Sequence, residues 1–349
     1  MTHPDSGATP APDPVDSAED WRIYRGSGER YDDIGRLPPP PRWRRFGHAA
    51  PVRRSEAVVD EIAADRAEGY QINDESIEMV NAALYTRRPL LITGKPGTGK
   101  STLAYSIAAE LMLGTVLYWP ISSRSKLEDG LYRYDAIGRL QDSNLLRVAE
   151  RPVEQLDVGR YVTLGPLGTA LLAQERPRVL LIDELDKSDI DLPNDLLNVF
   201  EEGTFQIPEL VRLPDEQDLV EVGTADGERV RVARGAVACR AFPIVLITSN
   251  AEREFPPAFL RRCLRLDIRP PDQHTLTRIV ESMLGPDTAA RSAELIDRFL
   301  RQRDRGELVA TDQLLNAIYV VTSASRPPES TRTRLFSNLI RDLSTTGLR

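Results

Sequence analysis

The sequence contains few of the residues that build metal centres and disulfide frameworks. Only two cysteines, Cys239 and Cys263, and three histidines occur in 349 residues. That number of cysteines excludes a disulfide framework, and their spacing fits no structural zinc site, so we expect two reduced, mostly structural thiols. No stretch approaches the roughly 20 consecutive apolar residues of a membrane-spanning helix, and the N-terminal residues lack the basic stretch followed by an apolar one that is typical of a secretory signal. These absences predict a soluble, cytoplasmic protein.

Acidic residues also outnumber basic residues in this chain. The chain has 45 lysines and arginines against 53 acidic residues, which gives a net charge of -8. This balance argues against a protein that grips nucleic acid over its whole surface. A local basic cluster still leaves a nucleic-acid-associated motor open as an alternative. Its members are Arg124, Lys126, Arg133 and Arg139.

Composition divides the chain into four segments. Residues 1–20 are rich in proline and acidic residues and lack aromatic ones, which predicts a disordered tail. Residues 21–70 combine aromatic and basic residues with a proline run and a helix predicted over 55–67. This segment is expected to be an arm packed on the main domain or, alternatively, a partner-binding segment. Residues 71–271 alternate short apolar strands with helices, and residues 272–349 predict helices only.

The pattern predicts an α/β fold, a three-layer core with a parallel sheet followed by a small all-helical lid. The predicted strands are 89–93, 115–118, 178–182 and 242–248. The predicted lid helices are 273–284, 289–302, 311–322 and 329–343.

A glycine-rich turn joins the first predicted strand to a helix predicted over 102–112. The turn fits the phosphate-binding pattern G-x-x-x-x-G-K-[ST] at every fixed position. Its glycines let backbone N–H groups point at phosphates, and the following helix N-terminus adds partial positive charge. We expect Lys100 to reach the outer phosphates of ATP and Ser101 to bind Mg²⁺. The predicted nucleotide-binding residues are Gly94, Lys95, Pro96, Gly97, Thr98, Gly99, Lys100, Ser101 and Thr102.

Two carboxylates end the third predicted strand. Asp183 and Glu184 face the phosphate loop if the two strands are neighbours, because ligands of open α/β sheets lie at the carboxyl ends of strands. Asp183 would then hold Mg²⁺, and Glu184 would orient and deprotonate the attacking water. Asp186 and Asp189 follow, and we assign both to the surface.

Further polar residues follow the fourth predicted strand. Asn250 could hydrogen-bond the γ-phosphate or the attacking water, or it could stand in an ordinary turn. Arg261 and Arg262 come next and could stabilise the transferred phosphoryl group in a neighbouring chain. Spacing alone leaves them equally compatible with a solvated basic turn.

These elements together resemble the AAA+ ATPases, in particular the MoxR-type or dynein-related branch. GKPGTGKS (94–101) resembles Walker A and VLLIDE (179–184) resembles Walker B. PIVLITSN (243–250) is similar to the strand that ends in the sensor-1 asparagine, which corresponds to Asn250. FPPAFLRRC (255–263) is similar to the segment of the arginine finger, which best matches Arg262, with Arg261 second.

The resemblance implies catalytic roles for Lys100, Glu184, Asn250 and Arg262 and a homo-oligomeric ring, commonly a hexamer. It also implies a chaperone-like remodeller whose protein partner could be a von Willebrand A-domain protein. LLNVFEEG (196–203) resembles the helix that runs into an inserted β-hairpin, for which we expect residues 204–235. The chain departs from the family at 310–315, where no sensor-2 arginine stands.

Two questions stay open on the sequence. Residues 119–126 are candidates for contact with a partner, with Tyr132, Arg133 and Tyr134 as others, although ordinary surface loops explain them equally well. A nucleotide-controlled switch with slow turnover, acting in signalling or defence, is a further alternative to the remodeller.

Overall fold

The computed structural model describes most of the chain. The described residues are 21–47, 51, 61–67, 69–149, 156–214, 217–307, 309–322 and 328–340. The predicted tail over 1–20 lies outside them, as do residues 55–60 and 341–343 of two predicted helices. Among the described residues, no helix has the length and apolar character needed to cross a membrane.

The described secondary structure consists of two sheets and the helices around them. The strands are β1 Leu90–Thr93, β2 Leu117–Pro120, β3 Tyr132–Tyr134, β4 Val162–Leu164, β5 Val179–Asp183, β6 Thr204–Gln206, β7 Leu219–Gly223, β8 Arg229–Ala233, β9 Ala236–Ala238, β10 Ile244–Ser249 and β11 Leu264–Asp267. The helices before the lid are α1 Glu61–Ala67, α2 Asp74–Thr86, α3 Thr102–Glu110, α4 Leu127–Leu131, α5 Ala136–Val148, α6 Pro166–Ala170, α7 Leu192–Glu202, α8 Pro208–Val211 and α9 Pro257–Leu260. The lid helices are α10 Gln273–Leu284, α11 Pro286–Arg291, α12 Ala293–Asp304, α13 Thr311–Thr322 and α14 Glu329–Leu339.

The first sheet is parallel throughout, with strand order β11-β1-β10-β5-β2. Its alternate residues enter different cores: Leu90 and Ile92 pack on the side of α2 and α3, whereas Leu91 packs on the side of α6 and α7. Helices therefore cover a sheet that is buried on both faces, and the predicted α/β fold class is confirmed. Strand β11 was not predicted, because its four residues are too few for their alternation of apolar and polar side chains to distinguish a strand from a loop.

The strand order differs from the arrangement in which β1 and β5 are neighbours, which was the condition for Asp183 and Glu184 to face the phosphate loop. The strand before the glycine-rich turn and the strand that ends in Asp183 are not neighbours, since β10 pairs with both. The carboxyl ends of all three strands still lie at one edge of the sheet. Strand β10 therefore lies between the strand before the loop and the strand that ends in Asp183.

The second sheet has the order β3-β4-β7-β8-β9-β6. The segment predicted as a hairpin insert, 204–235, contains the antiparallel pair β7 and β8. It also contains β6 and α8, and β6 pairs with β9, which begins just beyond the predicted end. Strands β3 and β4 come from an earlier part of the chain and were not predicted, because three-residue strands carry little pattern of their own.

The lid has its own core, in which Leu276, Phe299 and Leu314 are fully buried. Helices α10 and α13 have the predicted bounds. The single helix predicted over 289–302 is instead two, α11 and α12, which Ser292 separates. The side chain of Ser292 is fully buried and donates to the carbonyl of Thr288, so the chain turns there.

The described part of the arm packs on the core, as the first of the two alternatives predicted. Tyr24 is fully buried, and its hydroxyl lies 2.7 Å from that of Ser106. The carboxylate of Glu110 accepts hydrogen bonds from four successive backbone N–H groups, those of residues 25–28. These contacts fix the arm against α3.

Candidate functional site

The glycine-rich turn lies between β1 and α3, at the carboxyl edge of the parallel sheet. Gly94, Gly97 and Gly99 all have positive φ angles. The ammonium group of Lys100 lies inside this turn and donates to the carbonyls of Gly94, at 2.7 Å, and Lys95, at 3.0 Å. Burial lowers the pKa of Lys100, and nearby carboxylates oppose that shift. Two backbone carbonyls of the turn therefore hold a cationic group inside it.

The structure brings Ser101 and Asp183 together, as predicted. The hydroxyl of Ser101 donates to Oδ1 of Asp183 at 2.6 Å. A hydroxyl and a carboxylate oxygen side by side match the few protein oxygens that Mg²⁺ takes when phosphates and water complete its shell. The donor set therefore fits the predicted ion, although the assignment of these residues as ligands stays a prediction.

Thr248 on β10 is a member of the site that the sequence analysis missed. Its hydroxyl donates to Oδ1 of Asp183 at 2.6 Å and accepts a hydrogen bond from the backbone N–H of Glu184 at 2.8 Å. The side chain is completely buried. Thr248 therefore fixes both predicted acidic residues, and only the strand order reveals this role.

Asn250 links the phosphate loop to Glu184. Its side-chain oxygen accepts from the ammonium of Lys100 at 2.8 Å, and its side-chain nitrogen lies 3.3 Å from Oε1 of Glu184. The other carboxylate oxygen of Glu184 accepts from Lys187 at 2.6 Å. Glu184 itself has a left-handed backbone with φ 61°, a conformation that costs energy in a residue other than glycine. The sequence analysis did not identify Lys187.

Asp186 is buried, so its assignment to the surface was wrong. The side chain is 4% exposed, and Oδ2 accepts from the backbone N–H groups of Asn250, at 2.9 Å, and Glu252, at 3.1 Å. These bonds hold the loop after β10 against the loop after β5. Asp189 is exposed, as predicted.

Arg261 and Arg262 lie away from this cluster. They precede β11, and Leu264 at its start pairs with Leu90 at the start of β1. The two arginines therefore lie beyond the amino edge of the sheet, whereas the phosphate loop lies at the carboxyl edge. The four-residue strand alone spans about 13 Å at about 3.3 Å per residue. Within one chain, these guanidinium groups do not reach the phosphate loop.

A cleft of about 650 Å³ separates the core from the lid beside the phosphate loop. Tyr70 and Ile72 line it on the core side together with Thr102, and Arg278 and Asp312 line it on the lid side. No sensor-2 residue was predicted in the lid. Arg278 on α10 is a cationic side chain of the lid that lines this cleft.

The segments predicted to contact a partner have mixed environments. Trp119 lies in β2 and is 4% exposed, so its place in a contact loop was wrong. Ser122, Ser123 and Arg124 are exposed. Residues 132–134 form β3 rather than a loop, and the hydroxyl of Tyr132 donates to Glu209 at 3.0 Å.

One comparison with known proteins bears on this geometry. A family model described as AAA domain (dynein-related subfamily) matches residues 89–299. The matched range begins just before β1, includes every residue of the cluster around Asp183 and ends within α12. No curated protein matches the chain.

Proposed function

Because the chain belongs to the dynein-related subfamily of AAA domains, we propose that it hydrolyses ATP with Mg²⁺ and works in a ring. The observation that carries the proposal is the convergence of Lys100, Ser101, Asp183, Glu184 and Asn250 at one edge of the sheet. These residues come from three strands and the loops that follow them. Their side chains supply a cation, two oxygen ligands and a carboxylate base within one site.

The proposed roles follow from the contacts. Gly94 to Thr102 cradle the triphosphate between the core, 71–271, and the lid, 272–349, and Lys100 exchanges its loop carbonyls for the outer phosphate oxygens. Ser101 and Asp183 hold Mg²⁺, which neutralises charge on the phosphates when it is bound. Asn250 orients Glu184, whose carboxylate takes a proton from the attacking water.

Steady-state hydrolysis of ATP, measured with and without Mg²⁺, tests this part of the proposal. We expect turnover that EDTA abolishes and calorimetric binding of Mg-ATP that Lys100→Ala weakens. Absence of both heat and turnover would refute the assignment.

A ring would bring Arg262 to a nucleotide that it does not reach within its own chain. Because Arg262 lies beyond the opposite edge of the sheet, we assign it to the nucleotide of a neighbouring chain, with Arg261 as the second candidate. Chains carrying Arg262→Ala and chains carrying Lys100→Ala should be inactive separately. Mixed rings should recover part of the activity, since Lys100→Ala chains donate arginines to intact sites. No recovery at any mixing ratio would contradict a role between chains.

We propose a hexameric, MoxR-type assembly that remodels a protein partner, and a von Willebrand A-domain protein is the partner that this kinship favours. The net charge of -8 supports a protein rather than a nucleic acid. Sedimentation with ATP should give a hexamer. Gel shifts at low ionic strength should show no binding, and salt-sensitive binding there would favour the nucleic-acid motor.

A switch with slow turnover is the second candidate, and one contact favours it. Lys187 occupies Oε2 of Glu184, the carboxylate proposed as the base. Tight ATP binding with turnover far below about 1 s⁻¹, where the usual range of enzymes begins, would support the switch. Faster turnover without any partner would exclude it.

A further inference from the structure

The N-terminal arm contributes a buried arginine to the end of α7. The guanidinium of Arg44 donates to the carbonyls of Phe200, at 2.9 Å, and Arg87, at 2.7 Å, and Arg44 is 4% exposed. It also lies 4.9 Å from the ring centres of both Phe46 and Phe242. Because Phe200 lies in the last turn of α7, Arg44 satisfies one of the carbonyls that a helix end leaves without a partner.

The next residue on α7 connects the arm to Arg262. One carboxylate oxygen of Glu201 lies 3.4 Å from Nη1 of Arg44, and the other lies 2.9 Å from Nε of Arg262. The contact between Glu201 and Arg262 is an ion pair but not a hydrogen bond, because Nε of Arg262 has no hydrogen-bond partner in the described structure. A single carboxylate is thus shared between two guanidinium groups.

The arrangement leaves the outer end of Arg262 exposed. Its side chain is 40% exposed, and Nη1 makes one long contact, 3.4 Å, with the carbonyl of Ala258. Glu201 engages the Nε edge, nearer the backbone, so the terminal nitrogens stay available to an anion outside the chain. A guanidinium group can bind phosphate oxygens, like carboxylate oxygens, with two parallel hydrogen bonds.

We propose that Glu201 is a positioning residue for Arg262 and that the arm, through Arg44, holds Glu201 in place. The inference rests on the proposed action of Arg262 on a neighbouring chain's nucleotide. An arginine fixed near its backbone needs less ordering when it meets the phosphoryl group. A displacement of about 1 Å in a catalytic group can cost about 10²-fold in rate. The arm therefore belongs to the catalytic apparatus of the next chain.

Mixed rings separate this role from a general structural one. Donor chains carry Lys100→Ala and supply the arginine, whereas acceptor chains carry Arg262→Ala and supply the intact site. We expect Glu201→Gln on the donor chain to lower kcat about tenfold, with the KM for ATP changed less than about twofold. The same substitution on the acceptor chain should leave both constants unchanged.

Glu202→Gln on the donor chain is the matched control. Glu202 is adjacent to Glu201 and exposed, and its substitution removes the same charge. It should have no effect. Glu201→Asp, which keeps the charge, should restore part of kcat. Arg44→Lys on the donor chain should lower kcat in the same way as Glu201→Gln, since a lysine cannot make the same set of contacts.

Several results would overturn the inference. Equal losses from Glu201→Gln on donor and acceptor chains would indicate a structural role. An unchanged or increased kcat with the donor variant would show that Glu201 does not position the arginine. If the mixture of donor and acceptor chains that both keep Glu201 has no activity, that result would instead refute the action of Arg262 on a neighbouring chain.

Discussion

Thr248→Val should show how strongly β10 organises the acidic end of β5. The substitution keeps the shape of the side chain but removes a hydroxyl that makes two hydrogen bonds, one to Asp183 and one from the N–H of Glu184. The position is fully buried, so water cannot replace either bond.

The loss in stability follows from these two bonds. A buried N–H without a partner costs about 1–3 kcal/mol, and a hydrogen bond to a charged group contributes about 1.5–3 kcal/mol. Asp183 keeps its contacts with Ser101 and with the hydroxyl of Tyr118, at 3.2 Å. The contribution of its hydrogen bond with Thr248 should therefore lie at the lower end of the range for a charged group. We therefore expect the free energy of unfolding to fall by about 2–4 kcal/mol.

Urea unfolding and steady-state hydrolysis of Mg-ATP measure the two consequences. We expect kcat to fall about tenfold or more, because the backbone that presents Glu184 loses its anchor. Thr277→Val on α10 is the matched control, since that hydroxyl donates only to the carbonyl of Gln273 in the same helix. The control should change stability by less than about 0.5 kcal/mol.

Equal effects of the two substitutions would refute this reasoning. A large loss of stability with unchanged turnover would show that Thr248 supports the fold without organising the carboxylates.

Four further substitutions address neighbouring contacts. Lys100→Ala should abolish turnover, because it removes the cation inside the phosphate loop, and near-normal rates would contradict its role. Glu184→Gln should keep ATP bound in an arrested assembly, since the residue is proposed to activate water; loss of binding with unchanged chemistry would oppose this. Lys187→Met should raise basal turnover by no more than about fivefold, because a half-exposed ion pair is worth at most about 1 kcal/mol, and loss of turnover would show that Lys187 is itself required. Glu110→Gln should speed proteolysis of the arm at 25–28, since an amide offers one acceptor oxygen in place of two; unchanged protection would show that other contacts hold it.

The parts of the site that were predictable are contiguous in the sequence. The phosphate loop is recognisable because Gly94 to Ser101 must combine glycines, a lysine and a hydroxyl at fixed spacing. Asp183 and Glu184 end an apolar run that could only be a buried strand. In both cases the chemistry and the local structure depend on the same few residues.

The parts that were missed depend on contacts between distant segments. Thr248 contacts Asp183 because β10 lies between β1 and β5. No local sequence pattern predicts the order of the strands. Asp186 was placed on the surface because carboxylates are usually exposed, yet it is buried and two backbone N–H groups donate to its Oδ2. Strands β3 and β4 pair across the intervening α5, and each is three residues long. Periodicity over so few residues cannot distinguish a strand from a loop.

The two edges of the parallel sheet explain why a ring suits this chain. Strand β11 pairs with β1 along its whole length, from Leu264 beside Leu90 to Asp267 beside Thr93. The phosphate loop and the arginines therefore belong to one rigid block. The lid is the element that a nucleotide can move, because it touches the loop directly: a Cβ on Gly97 would lie 2.4 Å from that of Ala310. In the proposed ring, a triphosphate bound in the cleft would press against this contact, so we expect binding and release of the nucleotide to change the lid angle more than the distance between the loop and the arginines of the same chain.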